Sequence, residues 1–322
     1  YKRNSNTILD ASVPSVNGKS GTIIQNIGNV QNKGLEITIH TKNTVRQLVW
    51  KTDFNISFNR NEITKLGLNQ TQLKNGTAGT FWADVVRNYK GRPMSDLYMY
   101  KVIGTFNNAQ DVAEYPKMGT QDIGDLRYLD ASGPDGVPDG KITANDMICV
   151  GNAQPDCVFG ITNSFAFKGI DLTVLLDGVI GGKMINAMER PVSLNRNLEN
   201  ATAQAKDRWR SESDPGSGYS HRAGTKNLGT NIGPNTRFLY DADFLRIRNI
   251  TLGYTLPAKL SGKIGVQNLR VFCSALNLHT FTDFPGYNPE GNYNGDSATN
   301  NGVDQGSYPV ARNISFGLNV NF

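Results

Sequence analysis

The sequence has no long apolar run. Hydrophobic residues make up 38% of its 322 positions, and the mean hydropathy is −0.41. No stretch approaches the roughly 18–20 uninterrupted apolar residues that a membrane-spanning helix needs. These values argue against a helical membrane protein. They leave a membrane β-barrel open, because lipid-facing residues in barrel strands alternate with lumen-facing ones.

Cysteine and clustered positive charge are also scarce. The three cysteines, Cys149, Cys157 and Cys273, show no metal-binding spacing, and we expect no disulfide framework. The formal net charge is +5, but the basic residues never form a block of about five or six, so the sequence argues against nucleic-acid binding.

Sequence motifs of common enzymes are missing. The three histidines, His40, His221 and His279, are too scattered to indicate a metal site or a catalytic triad. The chain has no Gly-x-Ser-x-Gly elbow, no P-loop and no His-Glu-x-x-His motif. We therefore expect that the protein is not an enzyme.

Alternation of apolar and polar residues is the strongest pattern that is present. At the C-terminus, Ile314, Phe316, Leu318, Val320 and Phe322 fall on one face of an extended strand, and Asn, Ser and Gly fall on the other. The same period of two recurs along the chain and predicts about ten strands, each near the 9–11 residues that cross a bilayer at a tilt. The predicted strands are 1–8, 34–43, 48–59, 80–90, 97–104, 158–167, 170–176, 244–256, 268–279 and 313–322. A short helix is predicted near 198–210.

The connections between these strands alternate in length. The short ones are predicted near 44–46, 91–96, 168–169 and 257–267. The long ones are predicted at 9–33, 60–79, 105–156, 180–243 and 280–311. Outer-membrane barrels place long loops outside the cell and short turns in the periplasm, so we predict an all-β fold in which an antiparallel transmembrane barrel carries long extracellular loops. The alternative is a soluble extracellular β-rich module for carbohydrate binding or adhesion.

Three motifs near the C-terminus carry a resemblance to a known family. They are FLRIRNITLGYTLP at 244–257, NLRVF with a following NL at 268–278, and GYNPE at 286–290. Together with upstream stretches such as NIGNVQNKGLEITI and GRPMSDLYMYKVIGTF, they make nearly the whole chain resemble the SusC/RagA family of TonB-linked outer-membrane transporters.

The resemblance implies an outer-membrane protein with a barrel of about 22 strands, an N-terminal plug and a segment that contacts TonB. It also implies a SusD-like surface lipoprotein as partner and the import of glycan fragments or peptides. The first residues, YKRNSNTILD, contain no signal region. We expect residues 1–322 to be the C-terminal portion of the barrel, without plug or TonB box, and unable to transport alone.

One acidic stretch, YLDASGPDGVPDGKITANDM, is a candidate calcium site, and no other cofactor is expected. Its carboxylates, Asp130, Asp135, Asp139 and Asp146, are separated by turn-forming glycines, and calcium prefers oxygen ligands that wrap around it. An EF-hand register places Asp135 and Asp146 at its first and last positions but puts Val137 at the third. Relatives carry a shorter DxNGDGxI form, which implies an insertion here. A surface loop rich in Asx turns is the alternative.

Aromatic residues in two loops are candidate substrate contacts. Tyr287, Tyr293 and Tyr308 lie among Asn, Asp and Gly, and Trp209 lies in DRWRSESDPGSGY. An aromatic face can stack on the apolar face of a sugar, and nearby amides can bind its hydroxyls. The alternative is that these side chains pack the loops themselves or meet the lipoprotein.

Overall fold

The structure is a computed structural model that describes residues 1–12, 22–67, 72–78, 81–193, 200–295, 297 and 299–322. The strands are β1 (Lys2–Ser12), β2 (Thr22–Val45), β3 (Leu48–Lys65), β4 (Gln72–Ala78), β5 (Trp82–Tyr89), β6 (Asp96–Tyr100), β7 (Val102–Thr105), β8 (Leu126–Tyr128), β9 (Met147–Asn152), β10 (Cys157–Phe167), β11 (Ile170–Ile180), β12 (Lys183–Asn186), β13 (Leu239–Asp241), β14 (Phe244–Thr255), β15 (Asn268–Phe281), β16 (Val303–Asp304) and β17 (Asn313–Asn321).

Helices are few and short. The α-helices are α1 (Ala109–Glu114), α2 (Glu189–Val192), α3 (Leu228–Asn231) and α4 (Ala258–Ser261), and 3₁₀ turns lie at Ala144–Asp146, Ala203–Asp207, Thr236–Phe238 and Gly262–Ile264. Among the described helices, none has the length and apolar character needed to span a membrane. The predicted helix near 198–210 is reduced to the 3₁₀ turn at Ala203–Asp207 in its described part.

One antiparallel sheet organises the chain. Its eight strands follow the order β1-β2-β3-β10-β11-β14-β15-β17, so each strand pairs with the strands of this sheet that precede and follow it along the chain. The connections at one end are short, at 46–47, 168–169 and 256–267, whereas those at the other end are long, at 66–156, 181–243 and 282–312. The predicted alternation of connection lengths is confirmed for these six connections.

Two predicted strands do not belong to this sheet. Segments 80–90 and 97–104 form β5, β6 and β7, which lie within the 66–156 connection. β5 and β6 pair with β4 and β9 in a separate four-stranded sheet. Several of their residues are buried on successive positions, as in a strand packed on both faces. The predicted short connection at 91–96 is therefore part of a long one.

The predicted long connection at 9–33 is also wrong in part. β1 and β2 continue through most of it and stay paired as far as Ser12 and Thr22, and the rest of the connection lies outside the described residues. Eight of the ten predicted segments thus lie in the main sheet. Closure of this sheet into a barrel stays a prediction.

The main sheet has an apolar face formed by aligned strands. Phe167, Ile170, Tyr254, Val271 and Leu318 are successive cross-strand neighbours on β10, β11, β14, β15 and β17. These side chains are exposed, with Leu318 at 67%, although burial of such a side chain is worth about 1.5–3 kcal/mol. The described part of the chain therefore leaves this apolar face uncovered.

The opposite, polar face is organised around glycines. At Gly253 on β14, an added Cβ would lie 2.6 Å from Asp171 Oδ1 and would also collide with the Arg270 guanidinium. The missing side chain lets Arg270 reach across β14 to Asp171, with Nε 3.0 Å from Oδ1 and Nη2 2.5 Å from Oδ2. Similarly, the Phe272 ring lies over Gly317 on β17. The small residues of the LGY and FGL stretches thus make room for large neighbours.

Candidate functional site

The long connections fold together into a second region, which we call the cap. It consists of the described residues of 66–156, 181–243 and 282–312. A shared hydrophobic core joins all three connections. Its buried members are Trp82, Val85, Val86, Leu97, Met99 and Met147 from the first, Ile185, Ala187 and Phe238 from the second, and Val303 from the third. The three long connections therefore pack against one another and do not form independent loops.

A buried carboxylate fixes the first two connections to each other. Asp125 is fully buried; its Oδ1 accepts a hydrogen bond from Asn231 Nδ2 at 2.9 Å, and its Oδ2 accepts one from Asn227 Nδ2 at 2.8 Å. The Arg222 Nε lies 3.3 Å from Oδ1. A buried charge is tolerated only when it is paired and hydrogen-bonded, and Asp125 meets both conditions.

Side chains of the first connection also bond to the backbone of the second. Trp82 Nε1 donates to the Ile232 carbonyl at 2.9 Å, and the Tyr128 hydroxyl donates to the Thr230 carbonyl at 2.5 Å. Burial raises the pKa of the Tyr128 hydroxyl, so it stays a neutral donor. Because buried aromatic residues with a satisfied polar atom are strong anchors, these contacts hold the cap in one arrangement.

Arg246 ties the third connection to the main sheet. This side chain on β14 is fully buried; its Nη1 donates to Glu290 Oε2 at 2.5 Å and its Nε to Thr280 Oγ1 at 2.9 Å. It also lies over the Phe244 ring, 4.7 Å from the centroid. The contact joins the FLRIR and GYNPE motifs. The sequence signal for this contact is an arginine within an alternating strand and a glutamate in the long connection after β15.

A polar cavity of about 350 Å³ opens in the second connection. Its lining includes Glu189, Asp207, Tyr219, Thr236, Arg237 and Tyr240. Glu189 is buried, and the Tyr240 hydroxyl donates to its Oε2. Burial raises the pKa of the Glu189 carboxyl, a shift that the Tyr240 bond and Arg237 partly oppose. These residues were not predicted from the sequence, because they share no motif and meet only in the folded cap.

The three predicted tyrosines lie in the third connection and are open to solvent. Tyr308 is 92% exposed, Tyr287 74% and Tyr293 47%. Trp209 differs, because its ring packs on Gly124, where an added Cβ would lie 2.7 Å from the indole. Its indole nitrogen is buried and has no hydrogen-bond partner among the described residues. The exposed tyrosines are free to contact a ligand or a partner, whereas Trp209 mainly packs the cap.

The four predicted calcium ligands serve mostly as hydrogen-bond acceptors for the backbone. Asp130 Oδ2 accepts from Gly140 N at 2.8 Å, and Asp139 Oδ1 accepts from Lys141 N at 3.0 Å. Buried Asp146 accepts from Ala131 N at 2.8 Å and from Thr143 N at 2.7 Å. Asp135 is exposed. In the described part of the chain, no three acidic, His or Cys side chains are grouped to hold a metal. These contacts favour the Asx-turn alternative, and calcium stays a prediction.

Known proteins similar to this chain are TonB-dependent receptors. The chain is 31% identical over 96% of its length to TonB-dependent receptor P3 of Formosa agariphila and 29% identical over its whole length to receptor P26 of the same organism. It is 23% identical, again over its whole length, to TonB-dependent receptor SusC of Bacteroides thetaiotaomicron. No family profile matches the chain.

Solved structures show the same fold. The RagAB peptide importer in its closed-closed state superposes with a TM-score of 0.77 at 20% identity, and the open-open state with 0.74 at 20% identity. Both cover all of this chain. The chain spans 30% of receptor P3, 29% of SusC and 33% of the closed-closed importer chain, about a third of each of these proteins.

Proposed function

Because the chain belongs to the SusC/RagA family of TonB-dependent receptors, we propose that it forms part of the wall and part of the external cap of an outer-membrane transporter. In this proposal the apolar face of the main sheet meets lipid, the polar face lines the lumen, and the cap lies at the extracellular mouth. The sheet is the C-terminal portion of a closed barrel of about 22 strands. Plug and TonB box belong to the rest of the protein.

The two-faced sheet is the observation that carries this proposal. Its apolar residues are aligned across neighbouring strands and exposed, which in water would invite aggregation. A membrane barrel needs this arrangement, with an apolar band outside and polar residues inside. The soluble-module alternative would leave the same face in water.

The transported substrate is proposed to be a glycan fragment, with a peptide as the second candidate. The family resemblance supports glycans, and the name of the RagAB peptide importer supports peptides. A SusD-like lipoprotein is proposed to close over the cap, and TonB to supply energy through the rest of the protein. Tyr287 and Tyr308 are exposed enough to meet substrate or lipoprotein.

Growth on a defined nutrient tests the function. We expect that deletion of the receptor gene abolishes growth on one oligosaccharide class but not on its monosaccharide, and that loss of TonB has the same effect. Growth lost only on peptides would select the second candidate. Loss on neither, together with a monodisperse, detergent-free preparation of the receptor, would contradict the transporter and favour the soluble module.

A further inference from the structure

The polar cavity of the cap holds two opposite charges that do not pair. Arg237 and Glu189 both line it, yet no ion pair joins either of them to another described residue. Among the described residues, the hydrogen-bond neighbour of Arg237 Nη1 is the His221 ring nitrogen, with Nδ1 at 3.4 Å. Burial lowers the pKa of the guanidinium, while the charge of Glu189 acts to raise it. The two groups therefore line the same cavity without forming an ion pair with each other.

Each of these side chains keeps hydrogen-bonding capacity toward the cavity. Glu189 uses Oε2 for the Tyr240 hydroxyl, and in the described residues its Oε1 accepts nothing. Arg237 has further N–H donors beyond the one near His221. The Thr236 hydroxyl accepts a bond from Val102 N at 3.0 Å and keeps its own proton to donate. The cavity thus presents acceptors and donors side by side.

A ligand group that fits between Arg237 and Glu189 must both donate and accept hydrogen bonds. A hydroxyl does both, and two hydroxyls on adjacent carbons can accept from the guanidinium fork and donate to the carboxylate. A carboxylate ligand would suit Arg237 but be repelled by Glu189 and by Asp207. Tyr219, 55% exposed, offers an aromatic wall on which a ring can lie. At about 350 Å³ the cavity falls at the small end of ligand sites.

We propose that this cavity binds one pyranose ring of the substrate through a vicinal diol, held between Arg237 and Glu189 with Tyr219 against the ring. The proposal rests on the transporter function above, and it selects glycan over peptide for this site. Arg237 recognises hydroxyl oxygens, and Glu189 recognises hydroxyl protons. Tyr240 positions the Glu189 carboxylate and does not itself meet the sugar.

Equilibrium binding to the purified full-length receptor in detergent tests the site without any transport step. The probes are the methyl pyranosides of glucose, mannose and galactose, the 3-deoxy analogue of each, and trialanine, detected by saturation-transfer NMR. The variants are Glu189→Gln, Arg237→Lys and Tyr219→Ala. The matched controls are Glu114→Gln on α1 and Arg46→Lys at the β2–β3 turn, which are exposed and remote in sequence from the cavity residues.

We expect at least one pyranoside to bind and its 3-deoxy analogue to bind about tenfold more weakly, as loss of a hydrogen bond to a charged group predicts. Glu189→Gln and Arg237→Lys should each weaken binding by about tenfold. The controls should match the wild type. Tyr219→Ala should also weaken binding. Because the Tyr219 side chain is more than half exposed, we expect this variant to fold even if Arg237→Lys misfolds.

Three results would overturn the proposal. They are binding of no pyranoside, equal binding of the deoxy analogues, and variants that lower thermal stability while binding stays unchanged. If trialanine binds and the same variants weaken its binding, the cavity is assigned to peptide. Growth on oligosaccharide is scored separately. A receptor that imports but shows no diol site refutes only this inference, whereas one that binds the sugar but supports no growth refutes the transport function.

Discussion

The main sheet and the cap use apolar side chains in opposite ways. On the sheet, Phe316 is 82% exposed, and it belongs to a stripe that nothing in the described chain covers. In the cap, Val85 and Leu97 are fully buried against residues from distant parts of the sequence. One chain thus carries residues suited to two surroundings. The cap buries its apolar side chains in a shared core, whereas the main sheet exposes them on one face.

The long connections of the cap are stabilised by the core that they share. A connection of this length without internal structure is uncommon in a folded domain. Here three of them share a core and add small sheets, one of which pairs β12 with β13 and with β16. The cap is therefore a packed unit held together by its own core and sheets.

The largest effect is expected from the buried carboxylate of the cap. Asp125→Asn places an amide donor against the amides of Asn227 and Asn231 and removes the anionic partner of Arg222. Removing one member of a buried pair costs about 3–5 kcal/mol. In the full-length receptor we expect faster proteolysis and hydrogen exchange of the cap, while the heat-modifiable barrel band is unchanged. Glu114→Gln, an exposed isosteric change, should alter neither. Loss of the barrel band would mean that cap and sheet fold as one unit.

A charge on the apolar face should lower the amount of folded barrel and leave the cap unchanged. Leu318→Arg places a cation in the middle of the exposed stripe on β17, and arginine at the bilayer midplane of a barrel costs about 2–4 kcal/mol. Asn319→Arg lies on the polar face of the same strand and should be tolerated. The measurement is the amount of heat-modifiable receptor in outer-membrane fractions, with cap proteolysis expected to be unchanged. Greater damage from Asn319→Arg would mean that the two faces are reversed.

How far the sequence predicts the fold differs between the two regions. In the sheet, the period of two places the residues of β17 on the correct faces without any knowledge of partners, because alternation is local. In the cap, segment 80–90 shows a weak alternating pattern too, but its burial depends on residues such as Phe238 and Val303 far away in sequence. No local pattern reveals such partners. Segment 80–90 was therefore predicted as a strand of the main sheet, whereas it lies in the four-stranded sheet of the cap.

In the candidate site, too, the sequence predicts local features but not contacts between residues that are distant in the chain. Exposed tyrosines such as Tyr308 could be found from composition alone, because an aromatic residue in a polar loop is conspicuous. The contact between Trp209 and Gly124 and the cavity around Arg237 and Glu189 arise from tertiary packing, so the sequence could not predict them. Arg246 and Glu290 lie within the FLRIRNITLGYTLP and GYNPE motifs, but the family resemblance does not indicate that the two side chains pair.

A smaller loss of stability is expected at Gly253, where the missing side chain lets Arg270 pair with Asp171 on the polar face. Gly253→Ala introduces a Cβ between Asp171 and Arg270 and should separate them. Overpacking of this kind costs about 1–3 kcal/mol, and we expect the urea midpoint of the folded barrel to fall. Gly262→Ala is the control, because no atom lies near its added Cβ. Equal midpoints for both variants would show that the bridge shifts without cost.

The smallest effect is a pH dependence confined to the cap. Because the pKa of Glu189 is raised in the folded state above its ordinary value of 4.5, its neutral form is favoured by folding. That stability is complete below about pH 4.5 and is lost as pH rises through the folded pKa. The cap of the wild type should therefore resist thermal unfolding less at pH 7 than at pH 5, relative to Glu189→Gln. Tryptophan fluorescence during heating at both pH values measures the difference, since Trp82 and Trp209 lie in the cap. A difference of the opposite sign would show that Tyr240 and Arg237 outweigh burial and hold the carboxyl ionised.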